Sequence, residues 1–89
     1  MVKITDVKVL DGYQLNVTFN DGISGNVDLS YLLSKEVFRI WSDYAIFKSV
    51  HIDEESGALT WNDNIDIDTY NLYCKIAKIN PEYSGNAKN

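Results

Sequence analysis

Between Ile4 and Asp28 apolar and polar residues alternate with a period of two, and the alternation breaks twice, at Asp11-Gly12 and at Asn20-Asp21-Gly22. Successive side chains of a strand point to opposite faces, so Val7 and Val9, then Leu15, Val17 and Phe19, then Ile23 and Val27 each line one face. Lys8, Gln14, Asn16 and Thr18 fall on the other face. The two breaks carry residues that tolerate the positive φ of tight hairpin turns. The stretch therefore predicts an antiparallel β-meander of three strands. Gly25 lies inside the third strand, where a missing side chain marks a bulge or a close backbone approach. Gly22-Ile23-Ser24-Gly25 is not a phosphate loop, which needs a longer arc ending in Lys and Ser or Thr before a helix.

The period changes at Asp28, read as the N-cap of a short helix with Leu29, Leu32 and Leu33 on one face. Val37, Ile40 and Trp41 continue that spacing, and Asp43 caps a brief turn carrying Tyr44, Ile46 and Phe47. Val50 and Ile52 then resume period two against Ser49, His51 and Asp53. Glu54-Glu55-Ser56-Gly57 reads as a turn, Leu59 and Trp61 as the inner face of the next strand, and Ile65 and Ile67 as a further one. Asp68 opens the clearest helix. Leu72, Tyr73, Ile76 and Ile79 form its apolar stripe, Lys75 and Lys78 sit in its last turns, where cations suit the macrodipole, and Pro81 stops it. The predicted class is α+β: an antiparallel meander plus a second small strand group, with short helices and a C-terminal helix. Residues 1–80 form a single domain in this reading, and 81–89 a mobile C-terminal tail.

Length and composition exclude several functions. A chain of 89 residues buries only about 60 to 65% of its unfolded surface and leaves little free energy for strained catalytic geometry. One cysteine, Cys74, makes no intramolecular disulfide, and one histidine, His51, supplies no Cys/His metal cluster. Neither a secretory signal nor an apolar run long enough to span a membrane is evident, which leads to the expectation of a soluble, cytoplasmic protein without membrane association. The eight cations are scattered and no recognition-helix pattern occurs, so direct nucleic-acid binding is not expected.

The net charge of −5 is unevenly distributed. Asp53, Glu54, Glu55, Asp63, Asp66 and Asp68 lie in a stretch without lysine or arginine from Ser49 to Cys74, so −6 resides there and +1 in the remainder. Hard oxygen donors at Asp63, Asn64, Asp66 and Asp68 raise divalent-metal binding. The calcium-loop template fails, however: counted from Asn64, position 6 is Thr69 rather than Gly and position 12 is Lys75 rather than Glu. A solvated face explains the acids more simply, with Asp66 on the outer side of a strand and Asp68 as a cap; an acidic docking surface for a basic protein is the functional alternative. Paired carboxylates also suit hydrolysis, but nothing in the sequence builds a pocket around them. Strand alternation aims His51 outward without a nucleophile to activate, and Cys74 reads as an inert thiol beside the apolar stripe. The aromatics, including Tyr13, Tyr31, Phe38, Trp41 and Tyr70, mostly read as core. No catalytic residue, cofactor or metal ligand is assigned.

The ordered set Phe19-x-Asp21-Gly22-x-x-Gly25-x-Val27-Asp28-Leu29, then Leu59-x-Trp61, Ile65-Asp66-Ile67 and Leu72-Tyr73 resembles a widespread bacterial family of small domains of unknown function. The resemblance runs from Val7 to Tyr73. It implies an α+β domain, in some relatives followed by a helix-turn-helix and in others encoded beside a second small protein in arrangements resembling toxin–antitoxin pairs. Some relatives carry a label connected with molybdopterin synthesis, for which no nucleotide-binding glycine loop is present here. The chain ends soon after Ile79, so a helix-turn-helix is not expected and any regulatory role would pass through a partner. The expectation is a non-enzymatic protein-interaction module, the antitoxin-like or regulatory member of a two-protein pair, whose partner is a basic neighbouring gene product. Its candidate surface is Asp53, Glu54, Glu55, Asp63 and Asp66. The alternative is a small-ligand or divalent-metal-binding domain using the 53–68 segment. Exposed strand edges also permit a homodimer.

Overall fold

The computed structural model describes residues 2–61 and 65–78. Two antiparallel sheets of three strands each are joined by a run of short helices and followed by one longer helix. The first sheet contains β1 (Ile4–Val9), β2 (Gln14–Phe19) and β3 (Ser24–Asp28), with β2 central. This is the meander expected from the alternation, and Leu15, Val17, Phe19 and Val27 are buried on its inner face. The register slips between Ile4 and Asp6. This irregularity turns Ile4 inward, although it is an odd number of residues from the half-buried Val7 and Val9.

Two 3-10 helices follow, Ser30–Ser34 and Glu36–Ser42, and then a single α-turn, α1 (Tyr44–Phe47). Asp28 does not occupy the N-cap, which falls to Leu29, but its carboxylate accepts the Ser30 amide at 2.9 Å. Asp43 caps α1 as expected, accepting the Ala45 amide at 3.1 Å. The expected core position Val37 is instead 60% exposed. In a 3-10 helix the faces repeat every three residues rather than every 3.6, so Phe38 and Trp41 share a side and their rings lie 4.6 Å apart, while Val37 turns outward. Tyr31 also departs from the core reading, at 51% exposure.

The second sheet is built from β4 (His51–Ile52), β5 (Leu59–Trp61) and β6 (Ile65–Asp66), with β5 central. Leu59 and Trp61 are buried, as the pattern requires, and so is the intervening Thr60 at 7% exposure. The Thr60 hydroxyl is satisfied there by donating to the Ile65 carbonyl at 3.1 Å. The sheets meet where the Ile4 amide donates to the Gly57 carbonyl at 2.9 Å. Gly57 permits this approach: its φ is +72°, and a Cβ there would lie 2.7 Å from Lys3 Cβ.

Helix α2 (Thr69–Ala77) crosses the first sheet at β3. Asp68 is its N-cap, accepting the Asn71 amide at 2.9 Å. The helix ends at Ala77 rather than at Pro81, because Lys78 adopts the left-handed conformation and closes it through a bond from its amide to the Cys74 carbonyl. Ile79, Pro81 and the expected tail lie outside the described residues. The half-buried Tyr73 and Ile76 face the sheet, Tyr73 meeting Phe19 edge to face at 5.0 Å and Ile76 packing over Gly25. Gly25 is thus a close approach and not a bulge: a Cβ would lie 2.8 Å from Ile76 Cγ2.

Gly25→Ala should therefore destabilise the fold by about 1–3 kcal/mol, as overpacking against a β-branched side chain does. Adding Ile76→Ala should cost less in the Gly25→Ala background than in wild type, because the pair shares one space. Urea denaturation of the four proteins in the cycle measures both quantities; additive costs would show that the contact does not limit position 25.

Candidate functional site

The acidic segment begins in the turn joining β4 to β5. The Asp53 amide donates to the Ala58 carbonyl and the Gly57 amide donates back to the Asp53 carbonyl, both at 2.8 Å. Inside this closed turn Asp53 Oδ2 accepts from the Ser56 amide and from the Ser56 hydroxyl, each at 2.8 Å. These bonds favour the ionised form and hold the Asp53 carboxyl below the usual carboxylate range. Along β5, Thr60 faces Asp66 across the ladder, and the Ile67 amide donates to the Leu59 carbonyl at 3.3 Å. Asp66 is exposed, and Asp68 follows at the start of α2.

These elements enclose two adjoining depressions. The smaller, of about 330 Å³, is lined by Asp53, Ser56, Ala58, Thr60 and Asp66. The larger, of about 730 Å³, is an open groove between Val2 and the 56–58 turn on one side and Asp66 to Tyr70 on the other. Ser56, Ala58 and Asp66 border both, so the two form one trough. Val2, Ala58, Ile67 and the Tyr70 ring supply apolar surface, and Asp53, Asp66 and Asp68 supply carboxylates; no lysine or arginine lines it.

Of the five residues expected to form the surface, Asp53 and Asp66 come together in the smaller depression. Glu54 and Glu55 are exposed on the turn without lining the trough, and Asp63 lies outside the described residues. The sequence reading missed the apolar half. Tyr70 was grouped with the core, yet it is 45% exposed. Its position two residues before Leu72 turns it about 200° away around an α-helix, and that off-stripe phase was the available signal. Val2 and Ala58 had no such signal, since their neighbours are set by the contact between sheets.

The remaining candidates have local explanations. His51 is exposed on β4, facing Thr60 across the ladder, as alternation required. Cys74 is a buried free thiol, and its proximity raises the Tyr70 phenol above its ordinary value. No three His, Cys, Asp or Glu side chains among the described residues converge to hold a metal ion. Lys8 and Asp6, 4.0 Å apart, form an exposed ion pair within β1. No helix among the described residues is long and apolar enough to cross a membrane.

The sequence matches the family described as protein of unknown function (DUF2442) over residues 4–78. The chain belongs to the DUF2442 family. The matched region takes in both sheets, α2 and every trough residue but Val2. No curated protein and no solved structure matches the chain. Within this DUF2442 domain the trough joins the first sheet's leading residues to the second sheet and to the first turn of α2, so it exists only when all three are in place.

Asp53 has a measurable signature. Its pKa is depressed on folding, so its stabilising contribution is present above the unfolded carboxylate value of about 3.9 and is lost as pH falls through the lower folded value. Asp21, hydrogen-bonded to Tyr73 and to the Ile23 amide, and Asp28, bonded to Ser30, are depressed likewise and act in the same direction. Stability from urea titrations should fall from pH 5 toward pH 2 (chosen conditions, flanking about 3.9), and Asp53→Asn should reduce that fall. An unchanged slope in Asp53→Asn would show that the turn does not sense this carboxyl.

Proposed function

We propose that this DUF2442 domain is a non-catalytic interaction module that binds a basic protein through its acidic 53–68 segment. In this reading it is the antitoxin-like or regulatory half of a two-protein pair. The observation that carries it is the segregation of charge: a stretch of −6 with no cation from Ser49 to Cys74, against a remainder of +1. Such a field raises the encounter rate with a positively charged surface and disfavours acidic competitors. The clustering of Asp53, Asp66 and Asp68 around one trough that no lysine or arginine lines supports the same reading, because such a cluster gains from a cationic partner.

A small organic ligand is the second reading, favoured by the volume of the larger groove, about 730 Å³, within the about 300–1,000 Å³ of small-molecule sites. A divalent ion in the 53–68 segment is its inorganic form; magnesium or calcium titration followed by amide chemical shifts tests it, and shifts confined to this segment would favour it over a protein partner.

The protein reading is tested by calorimetry with the product of the neighbouring gene. Binding should weaken steeply with salt, and Glu54→Lys with Glu55→Lys and Asp66→Lys should reduce affinity by about tenfold or more, since like charges then face the partner. Absence of binding at low salt, or affinity indifferent to the triple reversal, would overturn it.

A further inference from the structure

The geometry points to a peptide-docking trough whose occupant is an extended segment of a partner protein carrying lysine or arginine beside one or two bulky apolar side chains. This rests on the proposed protein-interaction role and narrows it from an acidic face to one site. Two independent features select that occupant. The first is the apolar stretch formed by Val2, Ala58, Ile67 and Tyr70, elements that are remote in sequence yet border a single open groove of about 730 Å³. Tyr70 is 45% exposed and Ile67 and Val2 are half-buried, so apolar area remains to be covered. The second is charge. Asp66 and Asp68 border this groove, Asp53 lies with Asp66 in the adjoining depression, and no lysine or arginine lines either.

An acidic or neutral segment would cover the same apolar surface while leaving these carboxylates desolvated or repelled. A purely basic segment would gain attraction but leave Tyr70 and Ile67 wet. Only a segment with both properties satisfies the two halves together. Its conformation follows from the walls. Asp66 belongs to β6, an outer strand of the second sheet, and the groove runs past the end of that strand to the first turn of α2. An extended chain can align with such an edge and present alternate side chains to the trough. Asp53 acts here as a fixed charge: its Oδ2 is held by Ser56, so little side-chain freedom is lost on binding.

The test uses the full chain, labelled with ¹⁵N, and two synthetic heptapeptides, Lys-Arg-Leu-Lys-Phe-Arg-Lys and the same peptide with serine at the Leu and Phe positions. The first should shift the amides of Ala58, Ile67, Asp66 and Tyr70 and bind about tenfold more tightly than the second, the scale of one buried apolar side chain. Tyr70→Ala and Asp66→Asn should each weaken the first peptide several-fold, whereas Glu36→Gln, at an exposed acid of the second 3-10 helix outside the 53–68 segment, should change it less than about twofold, as exposed charges outside the site do. The amide spectrum of each variant checks its fold.

Equal affinity for both peptides, with shifts centred on Glu54 and Glu55, would overturn the trough while leaving the acidic-surface role intact. No shift from either peptide at millimolar concentration would overturn the trough as a basic-segment site, while binding of the neighbouring gene product in calorimetry would still stand separately. A concentration-dependent dimer in sedimentation that loses the same groove amides would give the site to a second copy and would also overturn the proposal.

Discussion

The packing of Trp41, Phe47 and Trp61 is the interaction on which the rest of the structure depends. All three are fully buried, Trp41 meets Phe47 at 5.0 Å and Trp61 at 4.7 Å, and each comes from a different element: the second 3-10 helix, α1 and β5. Edge-to-face and tilted pairs of this kind contribute about 0.5–1.5 kcal/mol each beyond the area they bury. Hydrogen bonds fix the surrounding backbone. Trp61 Nε1 donates to the Phe47 carbonyl at 2.8 Å, and the Tyr13 hydroxyl donates to the Trp41 carbonyl at 2.7 Å. The first sheet, the helical connection and the second sheet thus share one core, which is how so short a chain keeps two small sheets from separating. Trp41 Nε1 itself is buried without a hydrogen-bond partner, a cost accepted where the ring's bulk matters more.

A second attachment holds α2. Phe19 against Tyr73, Ile76 over Gly25, and the Tyr73 hydroxyl donating to Asp21 Oδ2 at 2.6 Å join the helix to the β2–β3 hairpin. The hydrogen bond holds the Asp21 carboxyl low and raises the Tyr73 phenol above its ordinary value near 10. Because the helix is anchored along its later turns, its first turn is left beside the second sheet, where Asp68 and Tyr70 border the trough. The acidic and apolar halves of that trough are therefore consequences of how the helix is seated. They do not require any element dedicated to forming a site.

The strands were legible because alternation and turn residues are local, and a one-residue slip would have placed Leu15, Val17 and Phe19 in water. The caps at Asp43 and Asp68 were legible for the same reason. Asp28 was displaced by one residue, and Val37 was misplaced, because 3-10 and α geometry share their apolar spacing over a single turn and diverge only by the second. The end of α2 was misjudged since proline is a visible stop, while a left-handed Lys78 leaves no comparable mark in the sequence. Half of the candidate site was readable as charge. Its apolar half was not, because Val2, Ala58 and Ile67 are ordinary hydrophobic residues until the fold leaves them at a rim.

By itself the sequence determined the class of the domain, its hairpins and capped helix, and the concentration of six carboxylates in a stretch without cations. These follow from the period of side-chain direction along strand and helix and from simple counting, neither of which requires distant parts of the chain to meet. Tertiary structure alone decided that Gly25 lies beneath Ile76, that Gly57 admits the leading residues of β1, and that Asp53 and Asp66 share a depression next to Tyr70. Contacts of that kind depend on how the sheets and α2 are seated on a common aromatic core, and the free energy that seats them is summed over the whole molecule rather than written at any one position.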